Sequence, residues 1–113
     1  MKECIFCKIA SHEIKSEIVF ENDRVIAFRD IAPKAPVHIV IIPKIHLDSI
    51  SSIDATSTIT CAEIMVEANR IAKQMGIEKT GFRLVTNTGP DAGQAVSHLH
   101  FHLLGGKELG DIC

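Results

Sequence analysis

The segment Ser97-His98-Leu99-His100-Phe101-His102-Leu103-Leu104 alternates polar and apolar side chains without a break. A period of two is the period of a β-strand, whose successive side chains point to opposite faces. Side chains at i, i+2 and i+4 then stand ~7 Å apart on one face. A strand over Val96 to Leu104 would line one face with three imidazoles and bury Leu99, Phe101 and Leu103 on the other. Half-buried strands are common, but a solvated face built from histidine is not.

The rest of the chain supplies partners for that strand. Glu17 to Glu21 and Val25 to Arg29 read as a hairpin around the Asn22-Asp23 turn signal. Val37 to Ile42 is β-branched and reads as a buried strand closed by Pro43. Phe82 to Asn87 is a further strand, and Cys4 to Ala10 a short helical turn. Asp54 to Met75 is the one long helix, with Asp54 as N-cap, an apolar stripe of Ile64, Ala68, Ile71 and Met75, and Gly76 just past its end. Hairpin-length connections around one inserted helix predict an α+β domain with antiparallel pairing. The nine residues from Gly105 carry three glycines and are expected to fray.

A chain of 113 residues without repeats or linkers is one domain's worth, 1–113. With 46% hydrophobic and 23% charged residues it is ordinary globular material rather than disordered. A net charge of −2 gives no basic surplus for nucleic acid, and five Phe without Tyr or Trp give no stacking platform for single strands. The longest apolar run, Val37 to Pro43, is interrupted by His38 and too short to span a bilayer, so no membrane partner is expected. The first residues lack the apolar core of a signal peptide, which predicts a cytoplasmic location and reduced cysteines. Cys4 and Cys7 then form a metal-binding or redox pair, Cys61 and Cys113 are isolated, and Cys61 reads as a small buried hydrophobe.

Three readings of the histidine row are open. It can be a solvated strand face. It can hold a metal, with His38 or His46 as third ligand. It can act on a phosphate, one neutral imidazole attacking and another stabilising the oxygens. The loop Gly89-Pro90-Asp91-Ala92-Gly93-Gln94 just before the row favours the third, because small residues let main-chain N–H groups approach an anion closely.

The run His98 to Leu104 fits the signature His-φ-His-φ-His-φ-φ, with φ apolar, and the chain resembles the histidine triad superfamily, within it the nucleotide-binding (Hint) branch. Ile5-Phe6-Cys7-Lys8-Ile9, Phe28-Arg29-Asp30-Ile31, Pro33 to His38, Ile42 to His46, Asn87 and Gly93-Gln94 resemble further segments of that family. The resemblance implies a five-stranded antiparallel sheet with one long helix and a short N-terminal helix, paired as a homodimer. It implies a purine nucleotide partner (AMP/adenosine or GMP/guanosine) and hydrolysis at the α-phosphorus through a nucleotidyl-histidine intermediate, with no cofactor required for catalysis. By the same resemblance His100 is the nucleophile, His102 holds phosphate oxygens, and His98 and His38 orient His100 and relay protons. Asp30 would accept the ribose hydroxyls; Ile5, Phe6, Ile9, Phe28 and Ile31 would line the base pocket; Asn87, Gly93 and Gln94 would meet phosphate.

A nucleoside phosphoramidase is the leading expectation; a dinucleoside polyphosphate hydrolase and a non-catalytic purine-nucleotide-binding regulator are the alternatives. His102, where transferases of the superfamily carry Gln, favours the hydrolase branch. Ala95 stands where the family usually has Ser or Thr; the missing hydroxyl should weaken transition-state contacts by ~1 to 3 kcal/mol and lower activity without abolishing it. The branch's Trp-Pro-Pro-Gly motif does not follow Gly105. Cys4-x-x-Cys7 has the spacing of half a zinc site. In related bacterial proteins histidines matching His46 and His98 complete it, so the expectation is structural zinc on Cys4, Cys7, His46 and His98, against two free thiols. Plainer roles stand beside these: Asp30 as a loop cap, His38 as a core histidine, Asn87 as a turn residue, His12 on the surface.

Overall fold

A strand apolar on both faces needs cover on both faces, which places the run from Val37 at the centre of a sheet. In the computed structural model, which describes residues 4–111, this run is β3 (Val37–Pro43). On one side lies β2 (Val25–Arg29), with Ala27 opposite Ile41; on the other lies β5 (Phe101–Gly105), with Leu103 opposite Ile39. The edges are β1 (Ile18–Glu21) and β4 (Phe82–Val85), giving the order β1-β2-β3-β5-β4 with every neighbour antiparallel. The β1–β2 hairpin turns on Asn22, whose Oδ1 accepts from the N–H groups of Arg24 and Val25 at 2.9 Å each. The expected α+β architecture is the one the chain adopts.

The two faces carry separate cores. The long helix α2 (Thr58–Gln74) lays Ile64, Ala68 and Ile71 on Val25, Ala27, Ile39, Ile41, Leu99, Phe101 and Leu103. The short helix α1 (Ile5–Ala10) covers Ile26, Phe28, Val40 and Ile42 with Ile9, Phe6 and Ala10. Helix α2 begins at Thr58 rather than at Asp54. The Asp54 carboxylate is taken by a 3₁₀ turn at Ala55–Ser57, accepting from the Thr56 N–H at 2.9 Å, so it caps that turn and not the helix. At the other end Gly76 adopts φ 75°, Gly76 N–H reaches Lys73 O at 3.1 Å and Ile77 N–H reaches Ala72 O at 3.0 Å. This paired closure needs a left-handed residue and explains the glycine.

The histidine strand is shorter than its alternation predicts. β5 starts at Phe101 instead of Val96, because residues 96–98 bend and the Leu99 N–H bonds Leu47 O (2.6 Å) in the segment after β3. β4 stops at Val85 instead of Asn87, where the Thr86 hydroxyl donates to the His100 carbonyl (2.7 Å). The expected fraying from Gly105 does not begin there. Gly105 is buried in β5, and Arg83 Nη2 donates to Gly110 O at 2.6 Å. Cys113 lies outside the described residues. Cys61 is half-buried on α2 rather than fully enclosed. His12 is exposed, as expected, but its Nε2 lies 2.7 Å from Glu21 Oε2. No helix among the described residues is long and apolar enough to cross a membrane.

Where β5 passes the end of α2, a Cβ on Gly105 would sit 2.7 Å from Cδ1 and 3.2 Å from Cβ of Ile77. Ile77 is β-branched and buried, so it has little room to yield. Gly105→Ala is expected to cost about 1–3 kcal/mol by overpacking, read as a lower urea midpoint at unchanged slope.

Candidate active site

β3 and β5 place His38 and His102 on the α1 face of the sheet: Val40 pairs with His102 and His38 with Leu104, so the two rings are diagonal neighbours. The Lys34 main-chain N–H reaches His38 Nδ1 at 3.1 Å. A main-chain N–H can only donate, so His38 Nδ1 is the acceptor and its proton sits on Nε2. That N–H then donates to His102 Nδ1, 2.9 Å away, and leaves the His102 proton on Nε2. Burial holds His38 below the ordinary imidazole range. His102 is pushed down to about 4, first by burial and then by the neighbouring His100 and His38 rings. Both are neutral at pH 7, and His102 presents an N–H as a fixed neutral donor.

His100 precedes β5 and is buried. Its Nδ1 lies 2.7 Å from the His98 carbonyl, which can only accept, so the ring is protonated there and Nε2 keeps its lone pair. The His100 and His102 ring centres are 5.1 Å apart at 79°. Phe6 meets His100 edge-on at 5.0 Å, and the Thr86 hydroxyl holds the His100 carbonyl. A free Nε2 lone pair beside a neutral N–H donor suits attack on an electrophile whose oxygen the donor holds.

The third imidazole does not belong to that row. The bend at residues 96–98 turns His98 away, fully buried, so that Nε2 donates to Pro43 O (2.9 Å) and Nδ1 lies 3.3 Å from Cys4 Sγ and 3.5 Å from Cys7 Sγ. His98 therefore orients His100 through its carbonyl and not through its ring. His38 likewise touches His102 rather than His100. Because 96–100 is not a regular strand, alternation also gives no rule for Ser97, which is exposed.

Cys4, Cys7, His46 and His98 bring their donor atoms within 4.8 Å of one another. His46 Nδ1 is 3.2 Å from Cys7 Sγ, and its Nε2 donates to Asp48 Oδ1 at 2.9 Å. Each histidine thus has one nitrogen anchored by an oxygen acceptor and the other turned inward, the arrangement of metal-bound imidazoles. Sulfur and nitrogen ligands ~2.3 and ~2.0 Å from a tetrahedral ion lie about 3.5 Å apart, close to the spacings in place. Burial and the adjacent Cys4 push the Cys7 thiol up to about 11, a cost that a cation would reverse. Asp30, His38 and His102 also converge within 4.8 Å. There the proton fixed on His38 Nε2 occupies the lone pair that an ion would need, so that trio reads as a hydrogen-bond chain.

The other residues singled out in the sequence are only partly assembled. Asp30 lies beside the chain, with Oδ2 3.4 Å from His38 Nε2, while its Oδ1 caps the loop by accepting from Ala32 N–H at 2.8 Å. Ile9 and Phe28 are buried under α1 with Phe6 against them, and Ile5 is exposed at their border. Ile31 is 99% exposed and is not brought into this group. Asn87 is half-buried in the connection after β4. Gly93 adopts φ 79°, and its N–H is committed to Pro90 O (3.0 Å), which removes it as a phosphate donor. Gln94 is a staple rather than a ligand: Oε1 accepts from Gly89 N–H (2.9 Å), and Nε2 donates to Asp48 O (2.7 Å) and Val96 O (2.9 Å). The Ala95 N–H is unpaired among the described residues. Sequence reasoning missed Lys34, Thr86, Pro43 and Asp48. Lys34 and Pro43 act through main-chain atoms, which every residue carries and no motif marks.

A family model described as HIT domain matches residues 11–109. The chain belongs to the HIT domain family. It is 46% identical over 109 residues to the purine nucleoside phosphoramidase of Escherichia coli, covering 96% of this chain and 92% of that protein. A solved HIT family hydrolase from Clostridium thermocellum superposes with a TM-score of 0.95 at 46% identity, over 99% of this chain and 97% of that one. A histidine triad protein from Clostridium difficile does so with 0.95 at 48% identity, over 99% and 97%.

The neutral rings make this HIT domain acid-sensitive. His102 takes its proton at 6.5 in the unfolded chain and at about 4 in the folded one, so between these values the unfolded state binds more protons and stability rises with pH. The urea midpoint is expected to fall as pH is lowered through that window, and His102→Asn should flatten the slope.

Proposed function

We propose that this HIT domain hydrolyses purine nucleoside phosphoramidates. The observation that carries the reading is the locked tautomer of His100, with its proton held on the His98 carbonyl at 2.7 Å and its Nε2 free beside His102. His100 Nε2 attacks the α-phosphorus, a nitrogen–phosphorus bond forms to the ring, and the bond to the amine breaks. The amine draws its proton from solvent, since His38 and His102 are neutral. His102 Nε2–H holds a non-bridging oxygen. Water then attacks the nucleotidyl-histidine, releases the nucleoside monophosphate and restores the ring. Asp30 takes the ribose hydroxyls, with Phe6 and Ile5 against the purine. The likeness to the Escherichia coli phosphoramidase supports this substrate class.

A homodimer belongs to the same reading. Ile59, Met65 and Val66 leave α2 exposed on its outer side, and Phe82 does the same on edge strand β4. So does a cytoplasmic location, which keeps Cys4 and Cys7 as thiols. Cys4, Cys7, His46 and His98 would hold a structural zinc ion. It would supply folding energy and fixed geometry, and no step of the hydrolysis needs it.

Two measurements test this. Acid quench after mixing with labelled adenosine phosphoramidate should trap a covalent nucleotidyl adduct, absent in His100→Ala, whose kcat should fall on the order of 10³-fold or more. Turnover by that variant within a few-fold of the parent would sink the reading. Metal analysis of purified protein should find about one equivalent of zinc, lost in Cys7→Ser; metal-free native protein would remove the zinc proposal and leave the hydrolase untouched.

A further inference from the structure

The four-residue centre draws on three segments next to His100, namely α1, the stretch after β3 and the bend before β5. Cys4 and Cys7 bracket the first turn of α1, and Phe6 between them packs edge-on against both His98 (5.9 Å) and His100 (5.0 Å). His98 contributes its ring to the centre and its carbonyl to His100 Nδ1, so one residue is shared by the two sites. His46 carries with it Leu47 and Asp48, whose carbonyls accept from Leu99 N–H (2.6 Å) and Gln94 Nε2 (2.7 Å). The stretch from Gln94 to His100 is not held by regular strand pairing, since β5 begins at Phe101. Its placement comes from these side contacts.

We infer that the Cys4–Cys7–His46–His98 centre is a positioning device for catalysis, setting the rotamer and tautomer of His100 through the His98 main chain and the Phe6 ring. The inference rests on His100 as nucleophile. Loosening the centre frees the His98 peptide and α1 together. The His100 ring then loses both the acceptor at Nδ1 and the edge that limits its rotation, while Asp30, held by the Ala32 N–H outside α1, stays in place. The defect should therefore appear in the His100 tautomer and in the chemical step.

The test compares the native protein as purified with Cys7→Ser and Phe6→Leu. Phe6→Leu leaves all four ligands intact and removes the aromatic ring that meets His98, His100 and the purine. Nitrogen-15 imidazole spectra report the His100 tautomer directly, and steady-state kinetics with adenosine phosphoramidate separate kcat from KM. The native enzyme should show a single Nδ1-protonated His100. Both variants should show tautomer averaging at that ring, with kcat lowered about tenfold or more. Unchanged His100 signals and kcat in Phe6→Leu, with its amide spectrum native, would overturn the inference even if Cys7→Ser misfolds. A loss confined to KM in either variant would also overturn it. Activity retained in His100→Ala is a separate result that removes the nucleophile itself.

Discussion

Two main-chain atoms decide what the histidines can do. The Lys34 N–H forces His38 to accept at Nδ1, and the His98 carbonyl forces His100 to donate there. Every other proton in the row follows: His38 donates to His102, His102 presents Nε2–H, and His100 presents a lone pair. Imidazole tautomers in water interconvert freely. Here only proline at position 34 removes the Lys34 N–H, and no substitution at His98 removes its carbonyl, but any shift of the loop or bend that carries them does. The sheet serves the chemistry by holding that loop and that bend.

The partners of the outer ring nitrogens separate two clusters of similar spacing. Both bring donor atoms within 4.8 Å. At Cys4–Cys7–His46–His98 the outward nitrogens donate to Pro43 O and Asp48 Oδ1, so the inward ones are free for a cation. At Asp30–His38–His102 the outward nitrogen of His38 is itself an acceptor, so the inward one is protonated. Proximity proposes a ligand set, and the second hydrogen bond of each ring decides it.

Much of this was legible in the chain. β-branched residues at Val37–Ile42 marked the central strand, and the alternation of Leu99, Phe101 and Leu103 marked the side that faces α2. Gly76 marked the end of α2 by the conformation it takes. The alternation failed for the polar side, because a pattern of side chains carries no information about which N–H groups find ladder partners. Leu99 found Leu47 instead, the strand did not start until Phe101, and His98 turned out of the row. Gly93 and Gln94 match the family's phosphate segment, yet the Gly93 N–H bonds Pro90 O and the Gln94 side chain bonds Gly89, Val96 and Asp48. Asp54 carries the sequence signature of a helix cap and serves the turn before the helix. In each case local pattern identified the residue and tertiary pairing chose its partner.

The loop from Gly89 to Val96 contains two glycines, which on composition alone would make it pliable. Its own glutamine cross-ties it at three points, to Gly89, Val96 and the neighbouring Asp48. A phosphate group bound beside it as proposed would meet a mould already cast. Little disorder would be surrendered on contact, and attraction that would otherwise go into stiffening the loop would be left to discriminate between a tetrahedral phosphoramidate and the trigonal-bipyramidal geometry midway through displacement.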